Sequence, residues 1–363
     1  MIVKGNTIPR DGIAKILVIQ LGDIGDVVWS TPTFRALKAA YPSTEIFVLL
    51  RHGAGALLKA DPSIADTFEV PPSKDNFLAT ARDQIRLLAR LRREHFDILF
   101  DLRADERGAI TGYLSGTTCR VTRFYRGSRI PFWRNHLYSH LVQSTAPPKE
   151  THGAAEQSLG LLRACGINIC SEAPQLWVSA GTDQKVKEIL VKNGMSEGAS
   201  WVTINPFSRW NYKEWVLERW APVIDWLYRK QEVISVLVGA KNERHRVSAI
   251  TDHCMSPVVN LVGATSLETL AGLLSKSRLH IGVDSAAPHI AAATGTPTVT
   301  IYGPSPWEEW APVGVNHRVI IPSDPCVPCH DKGCDGSGRS RCLENLSVER
   351  VEEGIRLALE NIN

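Results

Sequence analysis

Three short segments of the chain carry side chains suited to moving a group away from a phosphate. Asp26 ends the segment 22–26 (GDIGD), where a carboxylate can take a proton from an alcohol. Lys213 lies in a polar segment, residues 205–215, where its ammonium can neutralise a phosphate. Asp284 precedes a run of small residues, and the free backbone N–H groups of such a helix start bind anions. Together these residue types favour chemistry on a phosphorylated ligand.

Each of these segments follows a predicted strand and precedes a predicted helix. The strands are the apolar runs 15–20, 201–205 and 279–283, which are typical of parallel strands buried on both faces. Open α/β sheets bind ligands beyond the carboxyl ends of their strands, so the three segments are expected at ligand-binding edges. The first loop has the spacing Gly-x-x-Gly instead of Gly-x-Gly-x-x-Gly, which argues against a dinucleotide-binding clamp.

Strands and helices alternate along both halves of the chain. This α/β pattern predicts a Rossmann-like, doubly wound parallel sheet in each half. Turn residues without a periodic pattern at 166–174 predict a linker, so we divide the chain into domains 1–172 and 173–363, expected to face a central cleft. Residues 107–150 are less regular, and their turns and arginines predict loops that reach toward a ligand.

The composition is that of a globular protein, with 44% hydrophobic and 22% charged residues. A length of 363 residues exceeds the usual single core, in keeping with two domains. No apolar run approaches the roughly 20 residues of a membrane-spanning helix. The first residues show no export signal, so we expect a cytoplasmic protein.

Positive charge is concentrated in the first half of the chain, mainly as arginine. These arginines either keep exposed faces soluble or meet an anionic partner, such as a phosphorylated acceptor or an acidic membrane surface. Nucleic acid is disfavoured because no nucleic-acid-binding motif accompanies the charge. The arginines concerned are Arg82, Arg86, Arg90, Arg92, Arg93, Arg120, Arg123, Arg126, Arg129 and Arg134.

Each candidate residue also has a purely structural explanation. Asp26 and Asp284 can cap helices, Lys213 can be an exposed lysine at a helix start, and His289 can be a packed histidine. Glu243 follows a predicted strand. Its carboxylate can stabilise a helix start or accept hydrogen bonds from ribose hydroxyls, as carboxylates do in nucleotide-binding folds.

Four segments, in their order along the chain, resemble the family-9 glycosyltransferases, the bacterial heptosyltransferases of lipopolysaccharide core assembly. They are LVIQLGDIGDVVWSTPTFRALKAAYP, PFSRWNYKEW, LVGAKNE and DSAAPHIAAATGTPTVTIYGPSPWEEWAP, and the resemblance covers nearly the whole chain. It implies a GT-B architecture with ADP-heptose as the donor in the C-terminal domain and the acceptor in the N-terminal domain. The implied reaction is inverting, requires no metal or other cofactor for catalysis, and extends a lipid A-linked core sugar.

The resemblance assigns a role to each candidate residue. Asp26 matches the catalytic aspartate of the family, and Lys213 matches the lysine that contacts the donor phosphate. Glu243 matches the ribose-binding acid, and Asp284 matches the aspartate that contacts the donor sugar. The other donor-binding residues are Ser208, Arg209, Ser285, Ala286 and His289, and the acceptor-binding residues are Gly25, Arg120 and Arg123.

Ala286 departs from the family's usual pattern. The family commonly has Asp-Thr/Ser-Gly at this point, whereas this chain has Asp-Ser-Ala at 284–286. A side chain here keeps the backbone from approaching a phosphate as closely as glycine allows. The position of the phosphate is therefore not carried over from the family.

Four cysteines near the end of the chain are close enough in sequence to form one tetrahedral metal site. Structural zinc, free thiols in a turn-rich loop and a disulfide stay open, although a reducing cytoplasm disfavours the disulfide. None of the four is assigned to the chemistry: Cys326, Cys329, Cys334 and Cys342. The others are expected to be buried small side chains: Cys119, Cys165, Cys170 and Cys254.

Two alternatives to a heptosyltransferase-like enzyme stay open. One is a transferase of the same family that uses another nucleotide sugar, since no sequence pattern identifies the sugar. The other is a protein that binds nucleotide sugars without turnover. A lipopolysaccharide core acceptor anchored by lipid A would also bring the protein into peripheral contact with the cytoplasmic face of the inner membrane.

Overall fold

The computed structural model describes residues 2–73, 76–124, 131–143, 153–169, 171–196 and 198–362. The chain forms two compact units, Met1–Leu176 and Trp177–Asn363. Each unit is built on one sheet flanked by helices. We call them the N-terminal and C-terminal domains and describe each by itself.

The N-terminal domain contains a seven-stranded sheet in the order β1-β7-β6-β5-β2-β3-β4. The edge strand β1 is antiparallel to β7, and the other pairs are parallel. The strands are β1 (Ile2–Lys4), β2 (Lys15–Gln20), β3 (Glu45–Arg51), β4 (Asp66–Val70), β5 (Ile98–Asp101), β6 (Cys119–Arg123) and β7 (His140–Val142). The helices are α1 (Ile24–Trp29), α2 (Thr31–Ala40), α3 (Phe77–Arg93), α4 (Glu106–Leu114), α5 (Phe132–His136) and α6 (Ala155–Ala164), with a 3-10 turn at Ala54–Leu57.

The C-terminal domain contains a parallel six-stranded sheet in the order β10-β9-β8-β11-β12-β13. The strands are β8 (Trp201–Asn205), β9 (Ile234–Leu237), β10 (Val258–Asn260), β11 (His280–Val283), β12 (Thr298–Ile301) and β13 (His317–Ile320). The helices are α7 (Ala180–Lys192), α8 (Trp220–Gln231), α9 (Ser248–Thr251), α10 (Leu267–Lys276), α11 (Ala286–Ala293), α12 (Trp307–Trp310), α13 (Arg341–Asn345) and α14 (Val348–Glu360). The 3-10 turns are Asn211–Lys213, Leu217–Arg219, Lys241–Arg246 and Cys334–Gly336.

Both sheets reverse their strand order at one point. In the N-terminal domain the reversal lies between the paired strands β2 and β5, and in the C-terminal domain it lies between β8 and β11. The flanking connections run to opposite sides there, so the loops after these strands diverge and leave a crevice. Each domain thus offers one ligand-binding position that follows from its topology.

Apolar runs predicted the central strands correctly because parallel strands are covered on both faces. Residues 16–19 of β2 and 98–100 of β5 are completely buried. The prediction of loops over 107–150 was wrong within the described residues, which form α4, β6, α5 and β7. These short strands and helices are polar and interrupted by turns, so their periodicity is weak. The edge strand β1 was also missed.

Within the residues the structure describes, no helix is both long enough and apolar enough to cross a bilayer.

Close packing of α10 against α7 gives a direct test of the C-terminal domain. A Cβ on Gly272 would lie 2.4 Å from Cγ2 of the buried Thr182 and 3.2 Å from Cγ2 of Val186. We expect Gly272→Ala to lower the free energy of unfolding by about 1–3 kcal/mol, although alanine favours a helix. Urea denaturation measures the change.

A matched variant checks that this contact is the cause. Thr182→Ser deletes the methyl group and keeps the hydroxyl that bonds to Ser179 and Glu268. In the Thr182→Ser background, Gly272→Ala is expected to cost little or no stability. An equal loss in both backgrounds would contradict the close-contact explanation.

Candidate functional site

An ion pair lies across the strand-order reversal of the C-terminal domain. Lys213 ends the 3-10 turn after β8, and Asp284 immediately follows β11. Lys213 Nζ lies 2.6 Å from Asp284 Oδ2, and the two side chains are only 22% and 10% exposed. Charges this poorly hydrated need a partner of opposite sign. The strands therefore bring together two residues that are 71 positions apart in the sequence.

The pair borders a cavity of about 330 Å³. Its lining combines one cation, two carboxylates, two histidines and aromatic rings, a mixture suited to a charged ligand with a sugar or a base. The lining residues are Tyr212, Lys213, Asp284, His289, Pro304, Ser305, Pro306, Trp310, His330 and Asp331. Every one of them belongs to the C-terminal domain.

A second ion pair fixes the loop that carries Lys213. The Glu214 carboxylate accepts hydrogen bonds from both terminal nitrogens of Arg246, and Nη1 lies 2.9 Å from Oε1. Oε1 also accepts the Ser208 backbone N–H at 2.9 Å. The guanidinium of Arg246 lies over the Phe207 ring at 5.3 Å from its centroid. Glu214, the residue after Lys213, is therefore fixed in place, and this positions Lys213. Sequence reasoning identified neither Glu214 nor Arg246.

Ser208 joins the loop to the end of β11. Its hydroxyl donates to the Asp284 backbone carbonyl at 3.0 Å, and its side chain is buried. Both donors of Ser208 are thus engaged within the domain. The structure supports a positioning role for Ser208, and a direct bond to a donor phosphate would require the hydroxyl to leave Asp284.

The start of α11 lies beside the same ion pair. Ser285 occupies the N-cap position, but its side chain makes no capping bond, and Ser285 Oγ instead accepts from Asn205 Nδ2 at 3.1 Å. Because the N-cap side chain makes no capping bond, the start of α11 is suited to binding an anion. Ala286 is the first residue of this helix, and Pro288 falls in its first turn.

His289 faces this site as a buried imidazole. Burial lowers its pKa to about 4, opposed by the nearby Asp284 carboxylate and reinforced by the Lys213 ammonium. The ring is therefore neutral at neutral pH. His289 can contribute a hydrogen bond to a bound phosphate, but it brings no positive charge.

Of the eight predicted donor-binding residues, three line the cavity (Lys213, Asp284 and His289) and five do not: Ser208, Arg209, Glu243, Ser285 and Ala286. Glu243 lies in the turn after β9, where Oε2 accepts the Ala240 N–H at 2.6 Å and burial raises the pKa of the carboxyl. Arg209 is exposed, with its guanidinium 5.4 Å from the centre of the Trp210 ring. A shared role for these residues and Lys213 requires a ligand that extends beyond the cavity.

In the N-terminal domain, Asp26 follows β2 at the equivalent point, where the strand order reverses between β2 and β5. It occupies the first turn of α1, where Oδ2 accepts the Asp23 N–H at 2.8 Å. Arg103 follows β5, and its Nη1 lies 3.1 Å from the same oxygen. A Cβ on Gly22 would come within 2.3 Å of Asp26 Oδ2, so only glycine leaves room for this carboxylate. Gly25 precedes Asp26 in α1.

A buried network holds the loop that carries Arg103. Asp101 Oδ1 accepts the N–H groups of Arg103 at 3.1 Å and Ala104 at 2.9 Å, and Tyr138 donates its hydroxyl to Oδ2. Complete burial raises the pKa of Asp101 to about 6, which these hydrogen bonds oppose. The buried Arg134 donates to the Ala104 carbonyl, at a residue with a φ of 58°. An aspartate at the end of an otherwise apolar strand was the sequence signal for this network, and it was missed.

The two predicted acceptor-binding arginines act within the fold of the N-terminal domain. Arg120 donates to the backbone carbonyls of Thr117 and, at 2.6 Å, of Leu137. Arg123 Nη2 donates to the Leu102 carbonyl at 3.1 Å, next to Arg103. Neither guanidinium is arranged as an open cation. Arg126 and Arg129 lie outside the described residues.

The four cysteines near the end of the chain all lie within the described residues. The described cysteines are free, and across the described ranges no three histidine, cysteine or acidic side chains converge to hold a metal ion. Cys326 is exposed, whereas Cys342 is buried and its pKa is raised to about 11 by burial. Cys165 is buried, Cys119 and Cys254 are half-buried, and Cys170 lies outside the described residues.

The neutral state of His289 predicts a loss of stability in acid. An unfolded histidine takes up a proton near pH 6.5, whereas folded His289 does so only near its pKa of about 4. The neutral, buried ring therefore stabilises the folded protein fully at a pH above the pKa of unfolded histidine. This stability is lost as the pH falls, because the unfolded chain takes up the proton first. We expect a loss of about 2 kcal/mol between about pH 7 and about pH 5.

Urea denaturation at both pH values, for the natural protein and for His289→Gln, measures this loss. The variant should lack the contribution of His289 and show a smaller decrease. Equal decreases in the two proteins would show that His289 is already charged in the folded protein.

Comparison with known proteins identifies the family of this chain. The model of glycosyltransferase family 9 (heptosyltransferase) matches residues 84–338. Lipopolysaccharide heptosyltransferase 3 of Escherichia coli is 27% identical over 290 residues, covering 79% of this chain and 83% of that protein.

Solved structures share the fold over almost the full length. A family-9 glycosyltransferase from Veillonella parvula DSM 2008 has a TM-score of 0.81 at 20% identity, covering 98% of this chain and 99% of that one. The Escherichia coli ADP-heptose lipopolysaccharide heptosyltransferase II has a TM-score of 0.75 at 22% identity, covering 96% and 99%. The two parallel-sheet domains confirm the predicted GT-B fold class. With a family model matched over well more than half of its length, the chain belongs to glycosyltransferase family 9 and is a glycosyltransferase.

Proposed function

We propose that the protein transfers a heptose from ADP-heptose to a sugar of a lipid A-linked lipopolysaccharide core, with inversion and without a catalytic metal ion. The observation that carries the proposal is the Lys213–Asp284 pair beside the start of α11, whose N-cap side chain makes no capping bond. The names of the relatives, lipopolysaccharide heptosyltransferase 3 and ADP-heptose lipopolysaccharide heptosyltransferase II, suggest the donor and the acceptor. The C-terminal domain, Trp177–Asn363, is the donor-binding domain in this proposal.

The donor diphosphate exchanges for Asp284 as the partner of Lys213. Before binding, Asp284 neutralises the ammonium at 2.6 Å. A phosphate that reaches Lys213 and the first N–H groups of α11 takes over that role. The released Asp284 carboxylate then needs new hydrogen-bond donors, which the hydroxyls of the donor sugar provide. One ligand carrying both a diphosphate and a polyol therefore satisfies both residues.

This arrangement supports a reaction without a metal ion because protein groups meet the charge of the leaving ADP. Lys213 supplies a positive charge, and the start of α11 supplies N–H dipoles. His289 contributes a neutral hydrogen-bonding group. Glu243 and Arg209, outside the cavity, are proposed to contact more distant parts of the nucleotide.

Asp26 is the proposed base on the acceptor side, with the N-terminal domain, Met1–Leu176, as the acceptor-binding domain. Its carboxylate takes the proton from the acceptor hydroxyl while the hydroxyl oxygen forms a bond to the anomeric carbon. The bond from that carbon to the diphosphate breaks on the opposite face, so the anomeric configuration inverts. Because a carboxylate is a weak base for a sugar hydroxyl, positioning and charge neutralisation carry most of the acceleration. Arg103 holds Asp26 for this step.

A transfer assay with ADP-heptose and heptose-deficient lipopolysaccharide tests the proposal. We expect ADP release coupled to heptose incorporation, inverted product by nuclear magnetic resonance, and unchanged rates after EDTA treatment. Transfer only from another nucleotide sugar would support the alternative donor. Binding without any transfer would support a protein that lacks turnover.

Substitution of Asp26 tests the base within the same assay. Asp26→Asn keeps the oxygen that accepts the Asp23 N–H but cannot take up the proton, so we expect transfer to fall about 100-fold or more with ADP binding unchanged. Asp11→Asn, an exposed carboxylate in the same domain, is the matched control. Transfer that persists in Asp26→Asn would place the base elsewhere.

A further inference from the structure

The outward face of α3 is an unusual surface of the N-terminal domain. We define the α3 face as Phe77, Leu78, Arg82, Ile85 and Arg86. Phe77, Leu78 and Ile85 are 80%, 75% and 66% exposed. We propose that the α3 face docks on an anionic membrane surface.

The helix has two distinct apolar sides. Leu87 and Leu91 are buried in the hydrophobic core of the N-terminal domain. Leu78, Arg82 and Ile85 are spaced by four and three residues, so they share the opposite side of the helix. Packing in the core accounts for the apolar side chains of Leu87 and Leu91. It does not account for Leu78 and Ile85, whose apolar side chains are exposed to solvent.

Two exposed arginines, Arg82 and Arg86, flank the apolar residues of the α3 face, whereas Arg90 lies over the Phe68 ring and Arg92 donates to the Leu114 carbonyl. The 17-residue helix carries five arginines, Arg82, Arg86, Arg90, Arg92 and Arg93, and a single acidic residue, Asp83. Arg82 and Arg86 lie 3.8 Å and 3.7 Å from Asp83. Ion pairs this long are weak when the arginines are exposed, as here at 60% and 66%, so they do not prevent these arginines from meeting another anion.

Charge complementarity and shape favour a lipid surface as the occupant. An interfacial helix inserts its apolar side chains at the headgroup boundary while flanking basic residues meet anionic headgroups. Arginines also fit this role because their long apolar stems accompany the charged group to the interface. Met255 and Val315, which are also strongly exposed, lie 60 residues apart in the C-terminal domain.

The biological purpose of docking on the membrane rests on the proposed function, because the proposed acceptor is anchored in the membrane by lipid A. A protein held at the membrane by α3 would meet its acceptor in a thin layer instead of in bulk solution. Both the α3 face and Asp26 belong to the N-terminal domain, which is the proposed acceptor-binding domain.

Flotation of the full chain with vesicles tests the inference. We compare vesicles of phosphatidylcholine alone with vesicles that also contain phosphatidylglycerol. We expect binding only to the anionic vesicles and weaker binding at high salt. Leu78→Glu combined with Ile85→Glu should weaken binding about tenfold or more, and so should Arg82→Glu combined with Arg86→Glu.

A matched pair controls for adding charge to exposed apolar sites. Met255 and Val315 are 86% and 94% exposed, and Met255→Glu with Val315→Glu should bind vesicles like the natural protein. Thermal unfolding verifies that every variant is folded. Natural affinity in the α3 variants, or no vesicle binding by the natural protein, would overturn the inference.

A soluble acceptor separates this inference from the proposed function. With a deacylated core oligosaccharide, the α3 variants should transfer heptose at the natural rate, and they should lose rate only with vesicle-embedded acceptor. Loss of transfer to the soluble acceptor would show that the α3 face serves the chemistry and would overturn docking as its role. Absence of transfer by the natural protein, with vesicle binding intact, counts only against the proposed function.

Discussion

The contact between Lys213 and Asp284, 2.6 Å apart, is the interaction on which the C-terminal domain's site depends. Each charge is poorly hydrated and needs the other until a ligand arrives. The two residues follow neighbouring strands, β8 and β11, at the point where the strand order reverses. The Glu214–Arg246 pair and the Ser208 hydroxyl then fix the loop on which Lys213 lies. The sheet topology thus creates a charged pair, and an anionic ligand can bind by exchanging for one half of it.

The N-terminal domain has the same arrangement with different residues. Asp26 and Arg103 meet at 3.1 Å after the neighbouring strands β2 and β5. Here the carboxylate is the residue proposed to act on the ligand, and the cation positions it. The cost of burying Asp101 is offset by two backbone N–H groups and the Tyr138 hydroxyl. That buried carboxyl fixes the backbone of Arg103 and Ala104, so the position of Arg103 is set by the core of the domain.

Much of the fold, and the positions of three key residues, could be predicted from the sequence. Buried parallel strands leave long apolar runs, and Asp26, Lys213 and Asp284 each follow such a run. Arg103, the partner of Asp26, and Arg246, the partner of Glu214, could not be predicted in the same way. An isolated arginine looks the same in sequence whether it meets solvent, a carbonyl or a carboxylate, and the choice is made by residues far away along the chain.

Burial explains the other differences between sequence and structure. Serine is a residue type that can bind phosphate, but the Ser208 hydroxyl is already hydrogen-bonded to the Asp284 carbonyl. His289 was expected to help hold an anion. Burial keeps its ring neutral, so it brings no positive charge to that anion. Arg120 and Arg123 were predicted to bind the acceptor, and in the structure backbone carbonyls accept hydrogen bonds from their guanidinium groups. Each difference depends on the packing around a residue, which its type and spacing do not specify.

The exchange of a phosphate for Asp284 is tested most directly by calorimetric titration of ADP into the natural protein, Lys213→Met and Asp284→Asn. If the phosphate replaces Asp284, Lys213→Met loses about tenfold or more in ADP affinity, because the phosphate loses its cation. Asp284→Asn should bind ADP at least as tightly as the natural protein, because the competing carboxylate is gone. A loss of ADP affinity in Asp284→Asn as large as that in Lys213→Met would contradict the exchange.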